Sequence, residues 1–280
     1  MPDARKTLEK KTIAILGAGT MGQAILGGLV AHGQPKKRIR ATTRTKDAAR
    51  RVAKERGIAA GTDNVAAVAG ADVVVLTLKP MNILPVCRAL VAAKALKRGA
   101  LVISIAAGVR TEAIAAVLGE QVPIIRAMPN TPCAIGQGMT VLSRGAHASD
   151  GHLAVAQGLF APLGRVAELE EKHMDTVTGL SASGPAFVFV MIEALADGGV
   201  ARGLPRLVAI EMAAQMVFGA AAMVLESGRH PAALKDDVTT PAGCTIAGIL
   251  ALEDGRIRSV LSRAVEVASV RAGELGGPKA

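Results

Sequence analysis

A hydroxyl-rich loop near the carboxyl terminus holds the residues best suited to chemistry. Residues 238–250 read VTTPAGCTIAGIL, in which Thr239, Thr240, Thr245 and Cys244 surround a Pro-Ala-Gly turn. A helix that begins in this loop needs only one hydroxyl as its N-cap, so a cap does not explain three threonines. The loop therefore indicates a binding or catalytic site.

A glycine motif near the amino terminus is the second candidate site. Gly17, Gly19 and Gly22 form GxGxxG between an apolar run, TIAILG at 12–17, and a stretch with helical spacing. In this context the glycines allow a tight turn, a close approach of a pyrophosphate and close packing of helix on strand. The phosphates then lie at the positive helix N-terminus. A glycine-rich turn without a ligand is the alternative.

The residues after the second predicted strand, RIRATT at 38–43, indicate which cofactor binds. An NAD site places an acid near this point for the ribose 2′-hydroxyl. This chain has Thr42, Thr43, Arg44 and Lys46 instead, and their hydroxyl and cationic donors suit a 2′-phosphate. The sequence therefore predicts NADPH, and a solvated helix start is the alternative.

The elements around the glycine motif alternate between strand and helix. Further strands are predicted at 71–80, 99–108 and 122–130, each separated by a helical pattern. This order predicts an α/β fold with a parallel, doubly wound sheet that binds ligands at the carboxyl ends of its strands. Those ends carry Leu78, Lys79, Pro80, Ala106, Ala107, Gly108 and Asn130.

The rest of the chain has Ala-rich helical patterns, at about 174–198, 205–227 and 244–275. We therefore predict an NADPH-binding Rossmann-like domain at 1–170 and an all-helical dimerisation and substrate domain at 171–280. Helices that are apolar around their circumference must be covered on all sides. This predicts an obligate homodimer or a larger homo-oligomer, and a single-chain core is the alternative.

Composition excludes several classes of partner. The formal charge is +10, but with four Phe and no Trp or Tyr the chain lacks the stacking platforms of single-strand binders. We predict no nucleic-acid partner and interpret the charge as attraction for a small polyanion. The longest uncharged run, 176–192, contains Ser, Gly and Pro and is shorter than a typical span, which predicts a buried helix and no membrane.

The cysteines and acids indicate neither a disulfide framework nor a metal site. Cys87, Cys133 and Cys244 lie far apart without a CxxC pair, which fits a reducing compartment. Glu193 and Asp197 share a helix face, but nothing nearby in the sequence completes a metal site. Without an apolar leader, a cytoplasmic location is predicted.

The chain resembles the pyrroline-5-carboxylate reductase family along its whole length. The resemblance rests on ILGAGTMGQAI, TLKP, ISIAAGV, RAMPNTP and, most specifically, on LSASGPA and TTPAGCTIAG. The chain departs from the usual family pattern at Ala182, Phe187, Thr240, Ala242 and Cys244. Phe187 replaces Tyr and loses a hydroxyl, and Ala242 replaces Gly in the turn.

The resemblance implies the last step of proline biosynthesis, in which NADPH reduces 1-pyrroline-5-carboxylate, a small imine with one carboxylate, to L-proline. By this resemblance Thr245 is catalytic and hydrogen-bonds the imine nitrogen. The implied substrate-binding residues are Thr240, Gly243, Cys244 and Thr245. The implied cofactor contacts are Gly17, Gly19, Thr20, Met21, Gly22, Thr43, Arg44, Asn64, Leu78, Lys79, Pro80, Ala106, Ala107, Gly108 and Asn130.

Two other functions stay open on the sequence. A β-hydroxyacid dehydrogenase has a similar plan, but such enzymes use a Lys on the first long helix of the second domain, and 174–198 contains none. An NADPH-binding sensor without catalysis needs the nucleotide site alone. Loss of the Thr245 hydroxyl would affect a reductase and leave a sensor unchanged.

Overall fold

The chain divides into two compact units in this computed structural model, which describes residues 8–276. Among the described residues, the first unit comprises 8–183 and 266–276, and the second unit is Gly184–Val265. The predicted boundary between residues 170 and 171 rests on the change from strand-like to Ala-rich helical patterns in the sequence, and it stays a prediction.

The first unit contains one eight-stranded sheet with the order β3-β2-β1-β4-β5-β6-β7-β8. The strands are β1 (Ile13–Leu16), β2 (Ile39–Thr42), β3 (Ala59–Gly61), β4 (Val73–Leu76), β5 (Leu101–Ser104), β6 (Ile124–Met128), β7 (Gly138–Arg144) and β8 (Gly164–Glu168).

The described residues form helices on both faces of the sheet and throughout the second unit. They are α1 (Thr20–Ala31), α2 (Lys46–Arg56), α3 (Asn64–Val68), α4 (Pro80–Ala92), α5 (Thr111–Leu118), α6 (Asp150–Phe160), α7 (Met174–Val177), α8 (Gly184–Ala201), α9 (Arg206–Ser227), α10 (Pro231–Asp237), α11 (Cys244–Asp254) and α12 (Ile257–Glu274).

The predicted α/β class is confirmed, with one correction to the sheet. Strands β1 to β6 are mutually parallel, but β7 runs antiparallel to β6 and β8 runs parallel to β7. The sheet is therefore mixed rather than wholly parallel. The sequence interpretation missed β3, β7 and β8, because a three-residue strand, a strand with buried polar residues and a strand with no fully buried residue all give weak patterns.

The central strands are uninterrupted apolar runs because both faces of the sheet are covered. All four residues of β1 and of β4 are buried, as expected for parallel strands between helical layers. One core cluster includes Ile25 of α1 and Phe160 of α6. The other includes Ile83 of α4 and Ile114 of α5. The two layers hold the sheet rigidly, so its strand ends form a fixed edge.

The second unit is helical and carries large apolar side chains on its surface. Leu207 is 82% exposed and Phe218 58%. Within 176–192, Leu180, Phe189 and Val190 are each more than 60% exposed, so the prediction of a buried helix there is wrong for the single chain. By length and composition alone, Glu171–Ala201 and Arg206–Ser227 could also cross a membrane, and only 11% of either apolar window is buried. Exposed apolar surfaces of this size are typical of interaction sites.

The start of α6 contains a titratable cap. Ser149 Oγ accepts a hydrogen bond from His152 N (3.4 Å), and Ser149 N donates to His152 Nδ1 (3.1 Å), which together form a capping box. Burial, and secondarily the positive charge of Lys11, lowers the pKa of His152 below its ordinary value. A protonated Nδ1 cannot accept a hydrogen bond, so the cap requires the neutral ring.

We expect acid to weaken this cap. The folded-state pKa is lowered, so the contribution is fully present above the unfolded value, about 6.5, and is lost as pH falls through the folded value. His152→Gln keeps a capping-box residue that does not titrate. Urea unfolding between about pH 7.5 and 5.5 should show a steeper loss of unfolding free energy in the unmodified protein than in His152→Gln. Equal slopes would contradict the assignment.

Candidate functional site

The glycine loop after β1 is held in place by close backbone packing. Gly17 has φ of +100°, and a Cβ there would lie 2.7 Å from Leu78 Cδ2. A Cβ on Gly22 would lie 2.6 Å from the Gly17 carbonyl oxygen. The first and third glycines of the motif are therefore required by the fold itself, with or without a ligand.

Gly19 differs from these two glycines because it faces open space. No described heavy atom lies within 4 Å of the position that a Cβ on Gly19 would take. Gly19 is the N-cap of α1 and has no side chain to satisfy the N–H groups of the first turn. Those N–H groups, at the positive end of the helix, suit a phosphate. This arrangement fits the pyrophosphate of a dinucleotide.

Thr42, at the end of β2, fastens the glycine loop to the neighbouring strands. Its Oγ1 accepts from Gly17 N (3.1 Å) and donates to Asn64 Oδ1 (2.7 Å), and its carbonyl accepts from Ala18 N (2.6 Å). Thr42 is only 2% exposed. Its hydroxyl is therefore committed inside the protein, which corrects the expectation that it serves a 2′-phosphate.

The residues after Thr42 reach the surface at the same edge. Arg44 is exposed and Thr43 half-buried, and Thr43 Oγ1 donates to Thr45 O (2.8 Å). Within residues 8–276 Arg44 forms no ion pair, so its guanidinium is available to an anion. Asn64, held by Thr42, begins α3 beside this edge. The structure thus gathers the predicted residues Thr43, Arg44 and Asn64 around the glycine loop.

The ends of β4 and β5 complete the edge. Thr77 Oγ1 lies 2.6 Å from the Gly17 carbonyl, to which it donates, and it brings Leu78 against the glycine loop. Lys79 is the exposed N-cap of α4, and Pro80 is its first residue. Gly108 has φ of +75°, and a Cβ there would lie 2.5 Å from the carbonyl oxygen of Ala272 in α12, which gives Gly108 a packing role.

The remaining predicted cofactor residues differ in exposure. Thr20 is exposed and Met21 half-buried in the first turn of α1, while Ala106 is buried and Ala107 half-buried after β5. Asn130 uses its side chain within the protein. Its Oδ1 accepts from Met139 N (2.9 Å). Its Nδ2 donates to Ser181 O (3.3 Å) in the π-helical turn Thr178–Ala182. A cofactor contact from Asn130 stays a prediction.

The hydroxyl-rich loop lies in the second unit, immediately before α11. The N-cap of α11 is Gly243, and a Cβ there would lie 2.4 Å from Thr240 Oγ1. Glycine thus lets the Thr240 hydroxyl lie beside the helix start. Cys244 is exposed and Thr245 half-buried in the first turn. Thr239 Oγ1 donates to Lys235 O (2.7 Å), so one of the three threonines serves α10 instead.

Ala242, which replaces the glycine of the family pattern, adopts a backbone conformation that favours glycine. Its φ is +57°, so the turn before α11 does adopt left-handed backbone although the residue is alanine. This conformation costs a residue with a Cβ about 1–2 kcal/mol. The turn before α11 therefore has a strained backbone at Ala242.

A buried ion cluster next to the sheet edge was missed by the sequence interpretation. Arg126, in β6, is 1% exposed. Its Nη2 lies 2.9 Å from Asp175 Oδ1 and its Nη1 3.6 Å from Glu171 Oε1. Glu171 also accepts from Thr111 N (2.8 Å) and Thr111 Oγ1 (2.5 Å). The cluster fixes α5 and α7 against β6. An arginine inside the apolar run IIRAM was the available signal.

Cys87 and Cys133 are buried free cysteines. Burial raises the pKa of Cys87 to about 11 and raises that of Cys133 above its ordinary value, so both are thiols at neutral pH. Within residues 8–276 no three His, Cys, Asp or Glu side chains lie together as metal ligands.

Comparisons with known proteins agree on one family. The model "Pyrroline-5-carboxylate reductase dimerisation" matches residues 171–275, and the model "NADP oxidoreductase coenzyme F420-dependent" matches residues 12–108. A pyrroline-5-carboxylate reductase from Glycine max is 42% identical over 268 residues, covering 95% of this chain and 97% of that protein.

Solved structures show the same relationship. A pyrroline-5-carboxylate reductase from Coxiella burnetii is 34% identical with a TM-score of 0.88, covering 96% of this chain and 99% of that one. A pyrroline carboxylate reductase from Plasmodium falciparum with NADP bound is 27% identical with a TM-score of 0.86, covering 96% of this chain and 100% of that one.

Removal of the Arg126 charge should lower the free energy of unfolding substantially. Arg126→Met removes the cation and leaves the carboxylates of Glu171 and Asp175 without their counter-charge. We expect a loss of about 3 kcal/mol of unfolding free energy. Arg144→Met is the matched control, because Arg144 also pairs with two carboxylates, Glu168 and Asp150, but is 35% exposed in its side chain. That variant should lose less than about 1 kcal/mol. Similar losses in urea unfolding would contradict the argument.

Relief of strain in front of α11 should stabilise the protein. Ala242→Gly removes the Cβ from a residue with φ of +57°, and we expect a gain of about 1 kcal/mol in unfolding free energy. Ala247→Gly makes the same chemical change inside α11, where it should cost about 1 kcal/mol. The unfolding free energies of both variants are measured by chemical unfolding. A lower unfolding free energy in Ala242→Gly would contradict the strained left-handed conformation of Ala242.

Proposed function

The chain belongs to the pyrroline-5-carboxylate reductase family, and from that premise we propose that it reduces 1-pyrroline-5-carboxylate to L-proline with NADPH. The observation that carries the proposal is the 42% identity to the Glycine max pyrroline-5-carboxylate reductase, which extends over 95% of this chain. Relatives of the same name occur in archaea and yeast as well as plants. A β-hydroxyacid dehydrogenase activity has no comparable support.

The residues of the first unit fit NADPH, which supplies the hydride when bound. The α1 start, with Gly19 as its open N-cap, offers unpaired N–H groups to the pyrophosphate. Arg44, exposed and without an ion-pair partner in the described chain, offers its guanidinium to the 2′-phosphate. Asn64, Lys79 and the backbone of 106–108 surround the same edge and are proposed as further contacts.

The start of α11 fits the substrate. Pyrroline-5-carboxylate carries one carboxylate, and the first-turn N–H groups after Gly243 suit an anion at the positive helix end. As hydride reaches the C=N carbon, the π electron pair of the C=N bond moves onto the nitrogen, which takes up one proton to give the amine of proline. We assign Thr245 as the hydroxyl that hydrogen-bonds this nitrogen, and Thr240 and Cys244 as residues beside the ring. Placement of the reacting groups provides most of the catalysis.

Association of the helical unit follows from its surface. The family model over residues 171–275 describes dimerisation. The protein is accordingly a homo-oligomer that associates through this helical unit. We propose that the homodimer is obligate, because Phe189, Leu207 and Phe218 are each more than half exposed in the single chain. The absence of nucleic-acid and membrane partners and the cytoplasmic location stay predictions.

The proposal predicts a specific loss in Thr245→Ala. Oxidation of NADPH in the presence of 1-pyrroline-5-carboxylate should slow by about 5- to 150-fold, corresponding to 1–3 kcal/mol for one hydrogen bond to developing charge. Binding of NADPH, measured by fluorescence titration, should not change. Thr245→Ser keeps the hydroxyl and should keep most of the turnover.

Three outcomes would contradict parts of the proposal. Absence of turnover by the unmodified protein would overturn the reductase activity and favour an NADPH sensor. A clear preference for NADH would overturn the role of Arg44. Undiminished turnover in Thr245→Ala would overturn the role of that hydroxyl alone.

A further inference from the structure

A surface cavity of about 590 Å³ lies at the opposite end of the strands from the cofactor edge. Its wall includes Gly99 and Ala100, which precede β5, and Pro123, which precedes β6. The predicted cofactor residues follow the carboxyl ends of these strands. A four-residue strand is about 13 Å long, so the cavity is separate from the candidate nucleotide site.

The cavity combines an apolar floor with positive charge. Leu90 and Leu118 contribute apolar side chains, while Lys94, Lys97 and Arg98 come from the loop between α4 and β5. Lys97 Nζ is paired with Asp72 Oδ1 at 2.5 Å. Lys94 and Arg98, by contrast, have no carboxylate partner in the part of the chain that the structure describes. Two cations are therefore free to meet an anion in this cavity.

Lys94 lies in a left-handed conformation just after a helix end, a position that glycine occupies after α1 and α8 and that Arg256 occupies after α11. Three helices end in the same motif, in which two successive N–H groups bond back to the last turn. At the end of α4 these bonds run from Lys94 N to Val91 O (2.9 Å) and from Ala95 N to Leu90 O (3.0 Å). The equivalent left-handed residues after α1 and α8 are Gly33 and Gly203.

The lysine is thus retained at a strained position. Lys94 has φ of +50°, which costs a residue with a Cβ free energy that glycine avoids. Attraction of a cation to the carboxyl end of α4 offsets part of this cost. That attraction explains neither the apolar floor nor the second free cation, Arg98, beside it.

We propose that this cavity binds a small organic monoanion with an apolar body, at a site separate from catalysis. The cations Lys94 and Arg98 recognise the anionic group, and Leu90, Leu118 and Val122 cover the apolar part. The proposal concerns the first unit alone and does not depend on the proposed reductase activity.

Methyl-labelled full-length protein, titrated with hexanoate and followed by NMR, tests the proposal. We expect saturable shifts of the Leu90, Leu118 and Val122 methyl groups. Hexan-1-ol lacks the charge, hexylamine reverses it, and inorganic phosphate lacks the apolar body. Hexan-1-ol and hexylamine should bind up to about fivefold more weakly than hexanoate, because they lose the ion pair, and phosphate should bind more weakly because it buries no apolar surface.

Two glycine variants separate a built site from a general effect of charge. Lys94→Gly should weaken hexanoate binding about fivefold, while its melting temperature holds or rises because strain is relieved. Arg256→Gly is the control, because Arg256 is a cation with φ of +55° outside this cavity, and it should leave binding unchanged. Lys94→Gln with Arg98→Gln should weaken binding further and does not depend on backbone strain.

The proposal is overturned by any of three results. Hexanoate could give no saturable shift at these methyl groups, phosphate could bind as tightly as hexanoate, or Lys94→Gly and Arg256→Gly could weaken binding equally. The last result would show that only the net charge of the protein matters.

Discussion

Two helix starts with glycine as the N-cap are the constraint on which the functional interpretation depends. α1 begins after Gly19 and α11 after Gly243, and neither residue has a side chain that can satisfy the first-turn N–H groups. By contrast, α2 is capped by Thr45 and α3 by Asp63. Unsatisfied N–H groups at a positive helix end attract an anion. Helices α4 and α9 also begin without a side-chain cap, so an open helix start alone does not identify a ligand site, and the assignment of α1 and α11 depends on the loops in which they begin.

Fold requirements and ligand requirements are separable within the glycine motif. Gly17 and Gly22 have neighbours so close that any Cβ would collide with described atoms, whereas Gly19 faces open space. Thr42 and Thr77 then hold the loop through hydrogen bonds to Gly17. The rigid edge thus results from committed polar groups, and the groups left uncommitted, the α1 start and Arg44, are those suited to phosphate.

Two polar contacts of buried or half-buried side chains position the rest of the first unit. Arg126 joins β6 to α7 through Asp175, and Asn130 joins the end of β6 to the π-helical turn through Ser181. A buried cation of this kind specifies one packing of the helices on the sheet, because any other arrangement leaves charge without a partner. Local π-helical geometry often marks functional segments, and here it lies in the LSASG motif.

The sequence by itself determined the α/β class and the alternation of the central strands with helices, because short-range patterns of glycine and apolar residues dictate them, and it predicted a nucleotide-binding role for the glycine loop. The same patterns placed Thr240 to Thr245 in front of a helix. Only the tertiary structure decided which polar side chains are committed: Thr42 and Asn130 to internal hydrogen bonds, and Arg126 to a buried ion cluster. It also showed that Ala242 adopts the left-handed turn and that β7 reverses direction. Such outcomes depend on neighbours distant in the chain, whose approach no local pattern encodes.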